Sequence, residues 1–201
     1  EKVLKESGRM IRSNSIKNPI FRGLRDQIVR IAGHSKMLKR TLVRSLSGLD
    51  ITYAPGPLVA DDRHWSEDWR PHGFAPGSRP RDARVFRDDA RVSLFREMRS
   101  PLFTLVLFSG RKPVYRDVDR LGAVKLVAGG YGDLVRVISV WHGANPPGPD
   151  WFLDPDASAH RRFGVELPAF YLIRPDQYVG LRSQPAEAVV LHEWLAGITG
   201  S

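Results

Sequence analysis

The sequence predicts an α/β fold with a central mixed sheet in residues 81–201. The segment "PLFTLVLF" (101–108) is an apolar run of the kind found in strands buried on both faces, and "LVRVISVW" (134–141) is a second such strand. A helical pattern lies between them, which makes the two strands parallel. Two more strands, at 169–174 and 178–182, are joined by the turn "RPDQ" and add an antiparallel pair.

The remaining elements are predicted from turn and capping residues. "ARVFRDDARVSLF" alternates around Asp88-Asp89, which predicts a hairpin followed by a short turn of helix. The helix after the first buried strand is marked by three apolar residues and ended by two glycines: Val114, Val118, Leu121, Gly129 and Gly130. Asp154-Pro155 is predicted to cap a short helix that runs through Phe163. The inner face of a last helix consists of Val190, Leu191, Trp194, Leu195 and Ile198.

The resulting order, βαβαββα, is the layout of the thioredoxin fold. Pro168 stands directly before the third buried strand, where thioredoxins have a cis-proline beside the active site; an ordinary trans proline at a strand start is the alternative.

The sequence contains no cysteine, which excludes disulfide exchange and peroxide reduction by a thiolate. The redox loop of a thioredoxin would fall on "SGRK" (109–112), so the domain is predicted to be redox-silent.

The basic charge is concentrated in the N-terminal quarter of the chain. Residues 1–53 hold 12 Lys and Arg against 4 Asp and Glu, a net charge of +8, whereas residues 54–201 hold 19 against 18, a net charge of +1. We interpret the basic residues as the solvated faces of amphipathic helices, and a nucleic-acid-binding arm is the alternative.

Two such helices are predicted in residues 1–53. Asn18 and Pro19 begin the first, and the two apolar stripes consist of Ile20, Leu24, Ile28 and Ile31, and of Leu38, Leu42, Leu46 and Leu49. Two short helices bury too little apolar surface to be stable alone. They are therefore predicted to be the edge of a larger domain.

Residues 54–80 hold five prolines and three glycines and are predicted to be a linker. Its aromatic residues Trp65, Trp69 and Phe74 are predicted to hold it against a surface.

No catalytic, cofactor-binding or metal-binding residue is assigned from the sequence. Gly130 and Gly132 form only a G-x-G that precedes a strand, which indicates a helix end and a turn rather than a dinucleotide site. None of the six histidines has a partner three or four residues away; they are His34, His64, His72, His142, His160 and His192. A metal cluster around His64 and His72 is the alternative to a solvated polar loop. Spacing identifies no Ser-His-Asp arrangement, and the five tryptophans are interpreted as packing residues.

Four stretches together resemble one family of proteins. They are "LVRSLSGLDITYAPGPLVADD", "FAPGSRPRDARV", "PLFTLVLFSG" and "FYLIRPDQYVGLR", and they are similar to the C-terminal region of FAD-dependent aromatic hydroxylases of the phenol hydroxylase and polyketide hydroxylase type. In that family, basic helices end the flavin domain, a segment crosses over, and a cysteine-free thioredoxin-like domain follows.

The resemblance implies that this chain is the C-terminal piece of a flavoprotein monooxygenase. It implies three regions: residues 1–53 as the end of the catalytic domain, 54–80 as the linker and 81–201 as the thioredoxin-like domain. FAD and NAD(P)H are expected for the parent enzyme and not for this chain, because the family's flavin motifs are absent from it. The expected partners are the missing flavin-binding domain and a second copy in a homodimer. We expect neither nucleic-acid nor membrane binding, and a cytoplasmic location.

Two other functions compete with this interpretation. A free-standing, redox-silent module that holds a partner protein would be soluble and would cover its own apolar stripes. A nucleic-acid-binding protein would bind through its basic arm with an affinity that falls steeply with salt. Oxidoreductase activity of this chain alone is not expected without cysteine. The aromatic substrate of a parent enzyme is not encoded in these residues.

Overall fold

The computed structural model describes residues 52–53, 56–61, 73–111, 115–143 and 145–200. The two predicted N-terminal helices, Trp65 and Trp69 lie outside the described residues. The elements, in chain order, are β1 Ala60–Asp61, β2 Arg84–Arg87, β3 Ala90–Ser93, α1 Leu94–Glu97, β4 Phe103–Phe108, α2 Tyr115–Gly129, β5 Val135–Trp141, β6 Trp151–Leu153, α3 Ser158–Phe163, β7 Ala169–Ile173, β8 Val179–Ser183 and α4 Ala188–Thr199.

The strands form one mixed sheet in the order β1-β8-β7-β4-β5-β6-β2-β3. β4 lies at its centre, parallel to β5 and antiparallel to β7, and β7 pairs with β8 as an antiparallel hairpin. This confirms the predicted parallel pair and the predicted terminal hairpin. The four strands β8, β7, β4 and β5, with α2 between the parallel pair and α4 at the end, make the fold thioredoxin-like.

The central strand separates two apolar layers. All six residues of β4 are buried. Val106 and Phe108 pack with Phe163 of α3 on one face, whereas Leu105 and Leu107 pack with α2 and α4 on the other. Because burying one large apolar side chain contributes about 1.5–3 kcal/mol, these two layers supply the main stabilisation of the sheet. They also fix the end of β4, from which the candidate site begins.

The hairpin of β2 and β3 has the turn that its sequence predicts. Asp88 and Asp89 both have positive φ, 48° and 63°, and Arg87 pairs directly with Ala90. Two successive residues in this region define the type I′ turn, whose twist matches that of the flanking strands. Asp is one of the few side chains that accepts the left-handed region at modest cost.

Two features of the chain depart from the sequence-based interpretation. The strands β1 and β6 were not predicted, because they contain two and three residues and lie in or beside proline-rich segments. The Leu167-Pro168 peptide bond is trans, which is the alternative geometry considered for Pro168. Among the residues that the structure describes, the cis bond lies at Gln184-Pro185.

Part of the predicted linker is attached to the sheet. β1 pairs with β8 in parallel, and the Gly77 N–H donates to the carbonyl of Val179 at 2.7 Å. Phe74 packs edge-on against Phe163 with ring centroids 5.0 Å apart. The buried Arg182 of β8 donates to the carbonyl of Phe74 at 3.0 Å. Phe74 therefore lies against the domain surface as expected of the aromatic residues in this segment.

Candidate functional site

The candidate site lies at the end of β4, where the thioredoxin layout has its redox loop. Ser109, Gly110 and Arg111 follow the strand, and we refer to them as the 109–111 loop. Ser109 is fully buried. Gly110 has φ +85°, in the left-handed region that favours glycine.

The 109–111 loop is closed against the segment before β7. The Arg111 N–H donates to the carbonyl of Glu166 at 2.9 Å, and the Arg111 guanidinium pairs with the Glu166 carboxylate. A Cβ on Gly110 would lie 2.9 Å from both the carbonyl carbon of Leu167 and the nitrogen of Pro168. These backbone atoms occupy the space in front of the loop, so the loop and Pro168 are in direct contact.

Behind the loop, three buried side chains form a hydrogen-bonded chain. The Nδ1 atom of His160 lies 2.7 Å from Oδ2 of Asp154. On the other side of the ring, Nε2 lies 3.3 Å from Oγ of Ser109. All three residues are at most 1% exposed. The carboxylate fixes the ring proton on Nδ1, which leaves Nε2 of a neutral imidazole as an acceptor.

His142, directly after β5, joins this chain to a second strand. Its backbone N–H donates to Ser109 Oγ at 2.9 Å, and its Nδ1 lies 2.9 Å from the carbonyl oxygen of Asp154. The rings of His142 and His160 have centroids 5.7 Å apart. We call Ser109, His142, Asp154 and His160 the buried polar network, although the His142 ring is only half-buried.

Asp154 also caps α3. Its carboxylate accepts the backbone N–H of Ser158 at 2.8 Å and that of His160 at 2.9 Å. Residue 157, at the N-cap position, is alanine and offers no side-chain cap. The first-turn N–H groups of a helix need such acceptors. Asp154 therefore caps α3 as the sequence predicts, although it lies three residues before the N-cap position Ala157.

The environment shifts the pKa values of the buried pair in the same direction. Burial alone would raise the pKa of Asp154, but hydrogen bonds from His160 and from backbone N–H groups bring it below its ordinary value of 3.8. Burial lowers the pKa of His160 below its ordinary value of 6.5. The Asp154 carboxylate opposes that shift, and the nearby charges of His142 and Arg111 add to it. His160 is therefore neutral at pH 7, opposite an ionised carboxylate.

Ser109, His160 and Asp154 are hydrogen-bonded in the same order as the side chains of a hydrolase triad. Their geometry nevertheless does not suit nucleophilic attack. An attacking hydroxyl must reach a substrate carbonyl and an oxyanion site, whereas Ser109 Oγ is buried and already accepts the His142 N–H. Its other near neighbours are His160 and the carbonyl of Gly110. The arrangement fastens β4, β5 and α3 to one another.

Sequence spacing missed this site for a physical reason. Ser109, Asp154 and His160 come from three elements that only the sheet order brings together. The signals available were the predicted helix cap at Asp154 and a serine at the end of a buried strand.

The six histidines lie in different places. His142 and His160 belong to the buried polar network, and His192 lies on α4 with its Nδ1 3.3 Å from the Tyr131 hydroxyl. The other three, His34, His64 and His72, lie outside the described residues.

Within the described ranges, no group of three His, Cys, Asp or Glu could hold a metal ion, and no helix is long and apolar enough to cross a membrane. Gly130 and Gly132 lie at the end of α2 and in the turn before β5, as the sequence predicts, which gives no helix N-terminus for a pyrophosphate.

Comparisons with known proteins relate the chain to flavin enzymes at the level of fold. No family model matches the sequence, and no curated protein matches it. Aklavinone-11 hydroxylase, in a ternary complex with FAD and aklavinone, is similar in structure with a TM-score of 0.53 and 22% identity, over 76% of this chain and 27% of that one. The flavin-dependent monooxygenase PieE, in complex with FAD and substrate, has a TM-score of 0.52 and 20% identity, over 96% of this chain and 32% of that one. The chain thus spans no more than about a third of these enzymes.

Proposed function

We propose that this chain is the C-terminal part of an FAD-dependent, NAD(P)H-using aromatic-ring hydroxylase. The observation that carries the proposal is the pattern of coverage: similarity extends over 76% and 96% of this chain but only 27% and 32% of the two flavin enzymes. A domain that accounts for such a fraction of a larger oxygenase leaves room for a flavin-binding domain elsewhere in the protein. The four sequence stretches that resemble this family support the same assignment.

Within such an enzyme the chain has a structural role and contributes no catalytic residue. The closed 109–111 loop supports this role. Its only hydroxyl, on Ser109, is buried, and its backbone is held by Glu166. A surface that thioredoxins use for chemistry is here filled by the chain's own contacts. Bracing of the flavin domain and contacts between two copies are the functions we assign to it.

FAD would be held by the rest of the enzyme. Gly130 and Gly132 do not form a dinucleotide-binding turn, because neither lies at the start of a helix and the segment that follows is a strand. Residues 1–53 would be the end of the flavin domain, 54–80 the connection, and 81–201 the thioredoxin-like domain. A cytoplasmic location accompanies this proposal, since hydride donors such as NAD(P)H are used there.

The proposal is tested by comparing two proteins: the 201-residue chain and the product of the complete reading frame that contains it. We expect the longer product to retain flavin, seen in its visible spectrum, and to oxidise NAD(P)H in the presence of phenolic compounds. We expect the short chain to be colourless and inactive. A complete product without flavin, or hydroxylation by the short chain alone, would contradict the proposal.

A substitution in the longer protein tests the structural role separately. Ser109→Ala removes the hydroxyl from the buried polar network, so it should lower the melting temperature. The rate of hydroxylation per bound flavin should stay unchanged. A loss of rate in a protein that remains folded and flavin-loaded would show that the loop takes part in chemistry. Hydrolysis of activated esters by the wild type, abolished in the variant, would instead reveal a working triad.

A further inference from the structure

Residues 73–79 lie within the span that the sequence predicts to be a linker, yet they contact α3, β7 and β8. We call them the strap. We propose that the strap is a structural part of the thioredoxin-like domain, which opens only together with β8 and α3. The folding unit then begins at or before residue 73 rather than at residue 81, and the chain enters it through a fixed connection. The proposal does not depend on the identity of a parent enzyme.

The shape of the strap is set by a turn that its own sequence encodes. The Ser78 N–H donates to the carbonyl of Ala75 at 3.0 Å, which closes a turn with Pro76 and Gly77 at its central positions. Gly77 has φ +79°. A type II turn favours proline at the first central position and needs a positive φ at the second. The turn therefore favours the attached conformation in the free chain as well, which lowers the entropy cost of attachment.

The turn is hydrogen-bonded to the first residue of β8. The Gly77 N–H donates to the carbonyl of Val179 at 2.7 Å, and the Val179 N–H donates to the carbonyl of Ser78 at 2.9 Å. Val179 is fully buried, and both of its backbone polar groups have their partners in the strap. Buried backbone groups need such partners. Detaching the strap would therefore remove two hydrogen bonds from the start of β8.

The N-terminal end of the strap fits closely against α3. Gly73 has φ +79°, and a Cβ there would overlap the carbonyl oxygen of Phe163 and lie 2.6 Å from the Tyr171 hydroxyl. The Phe74 ring packs edge-on against Phe163. The Phe74 carbonyl accepts a hydrogen bond from the buried Arg182 at 3.0 Å. Because a buried guanidinium needs acceptors, opening of this end would also take one acceptor from Arg182.

The C-terminal end of the strap is attached to two further elements. The Arg79 guanidinium donates to Oε1 of Gln177, in the turn between β7 and β8, at 2.8 Å. It also lies over the Phe95 ring of α1, 5.2 Å from the ring centroid. The strap thus has contacts at both ends and in the middle. Segments that open alone have few buried contacts, so we expect this one to open with the elements that it joins.

Hydrogen exchange of the 201-residue chain, measured residue by residue by NMR, tests the proposal. The amides of Gly77 and Val179 follow the strap, and the amide of the buried Leu172 follows the centre of β7. After correction for intrinsic rates, the three opening equilibria should agree within about tenfold and rise together with small additions of urea. A larger opening equilibrium at Gly77, insensitive to urea, would show that the strap opens alone and would overturn the proposal.

A matched pair of glycine variants tests the coupling. A Cβ on Gly77 would overlap the carbonyl oxygen of Tyr53, whereas a Cβ on Gly148 meets nothing within 4 Å. Gly77→Ala should raise the opening equilibrium by about tenfold or more, because alanine disfavours the left-handed conformation. The same factor should appear at residue 77, at Val179 and at Leu172. Gly148→Ala should raise none of the three. Faster exchange confined to the strap would contradict the proposal.

A milder variant covers the case in which Gly77→Ala does not fold. Phe74→Leu keeps an apolar side chain but loses the edge-on contact with Phe163, which should raise the opening equilibrium by about two- to tenfold. The rise should be equal at Gly77 and at Leu172, and thermal unfolding should remain a single transition at a lower temperature. An unchanged opening equilibrium at Leu172, with a rise at Gly77, would show that the strap is only a surface attachment, and the proposal would fail.

Discussion

At the scale of single residues, Gly110 occupies a position that excludes every larger side chain. Its φ of +85° lies in the left-handed region, and a Cβ would lie 2.9 Å from two backbone atoms of the Leu167-Pro168 segment. Backbone atoms cannot move aside as a flexible side chain can. Glycine is therefore required here by both conformation and space.

A pair of glycine substitutions tests this argument. Gly110→Ala should lower the free energy of unfolding by roughly 2 kcal/mol or more, because the left-handed conformation alone costs about 1–2 kcal/mol and the contact adds to it. Gly122→Ala in α2 is the control, since a Cβ there meets nothing within 4 Å and alanine is favoured in a helix by about 1 kcal/mol. Urea denaturation should give opposite signs for the two variants. Equal effects would contradict the close approach of the 109–111 loop to Pro168.

The Tyr171 hydroxyl makes a buried contact whose loss should be measurable. It donates to the carbonyl of Phe163, the last residue of α3, at 2.5 Å, and the side chain is fully buried. Tyr171→Phe leaves that carbonyl without its donor, which costs about 1–3 kcal/mol. Tyr131→Phe, which removes an exposed contact to His192, should change the stability by less than about 0.5 kcal/mol. Thermal unfolding that fails to separate the two variants would show that the contact contributes nothing.

At the scale of elements, α3 depends on a carboxylate outside the helix. Asp154 accepts two backbone N–H groups and the His160 ring. Asp154→Asn removes the charge and one acceptor, so it should destabilise the protein at pH 7 by about 2 kcal/mol, as expected for hydrogen bonds to a charged group. Asp156→Asn, at an exposed neighbouring position, should have little effect.

The same pair of variants has a defined pH dependence. Because the pKa of Asp154 in the fold is below 3.8, its contribution is present above pH 3.8 and is lost as the pH falls towards the folded value. The difference in stability between wild type and Asp154→Asn should therefore be largest near neutral pH and should shrink below pH 3.8. Urea denaturation at several pH values measures it. A difference that grows in acid would contradict the lowered pKa.

The elements also show what could be predicted from sequence and what could not. The strands β4, β5, β7 and β8 were predicted because long apolar runs leave few alternatives, and the β2–β3 hairpin because Asp88 and Asp89 tolerate positive φ. The strand β6 was missed because three residues after a proline-rich stretch show no periodicity. The buried polar network was missed because its members become neighbours only when β4, β5 and α3 pack together. Pattern and capping are local properties, and convergence of side chains is not.

At the scale of the whole molecule, the basic charge is concentrated in one part of the chain. The chain as a whole corresponds to about a third of two flavin enzymes. Residues 54–201 are nearly neutral, with a net charge of +1, and most of the basic charge lies in residues 1–53. Leu126 and Val189, on α2 and α4, are 79% and 57% exposed. Single exposed apolar side chains are common on protein surfaces, so the proposed structural role rests on the coverage of the flavin enzymes and not on these two residues.

The coding sequence immediately upstream of the codon for Glu1 tests whether this chain is the C-terminal part of a flavin-dependent hydroxylase. We predict an open frame that encodes a G-x-G-x-x-G turn after a strand pattern, followed by the family's later flavin motifs. That result would make this chain the thioredoxin-like end of a flavin-dependent hydroxylase. A start codon at the edge of the chain, with no flavin-binding sequence before it, would rule out the proposed function and leave a free-standing, redox-silent interaction module.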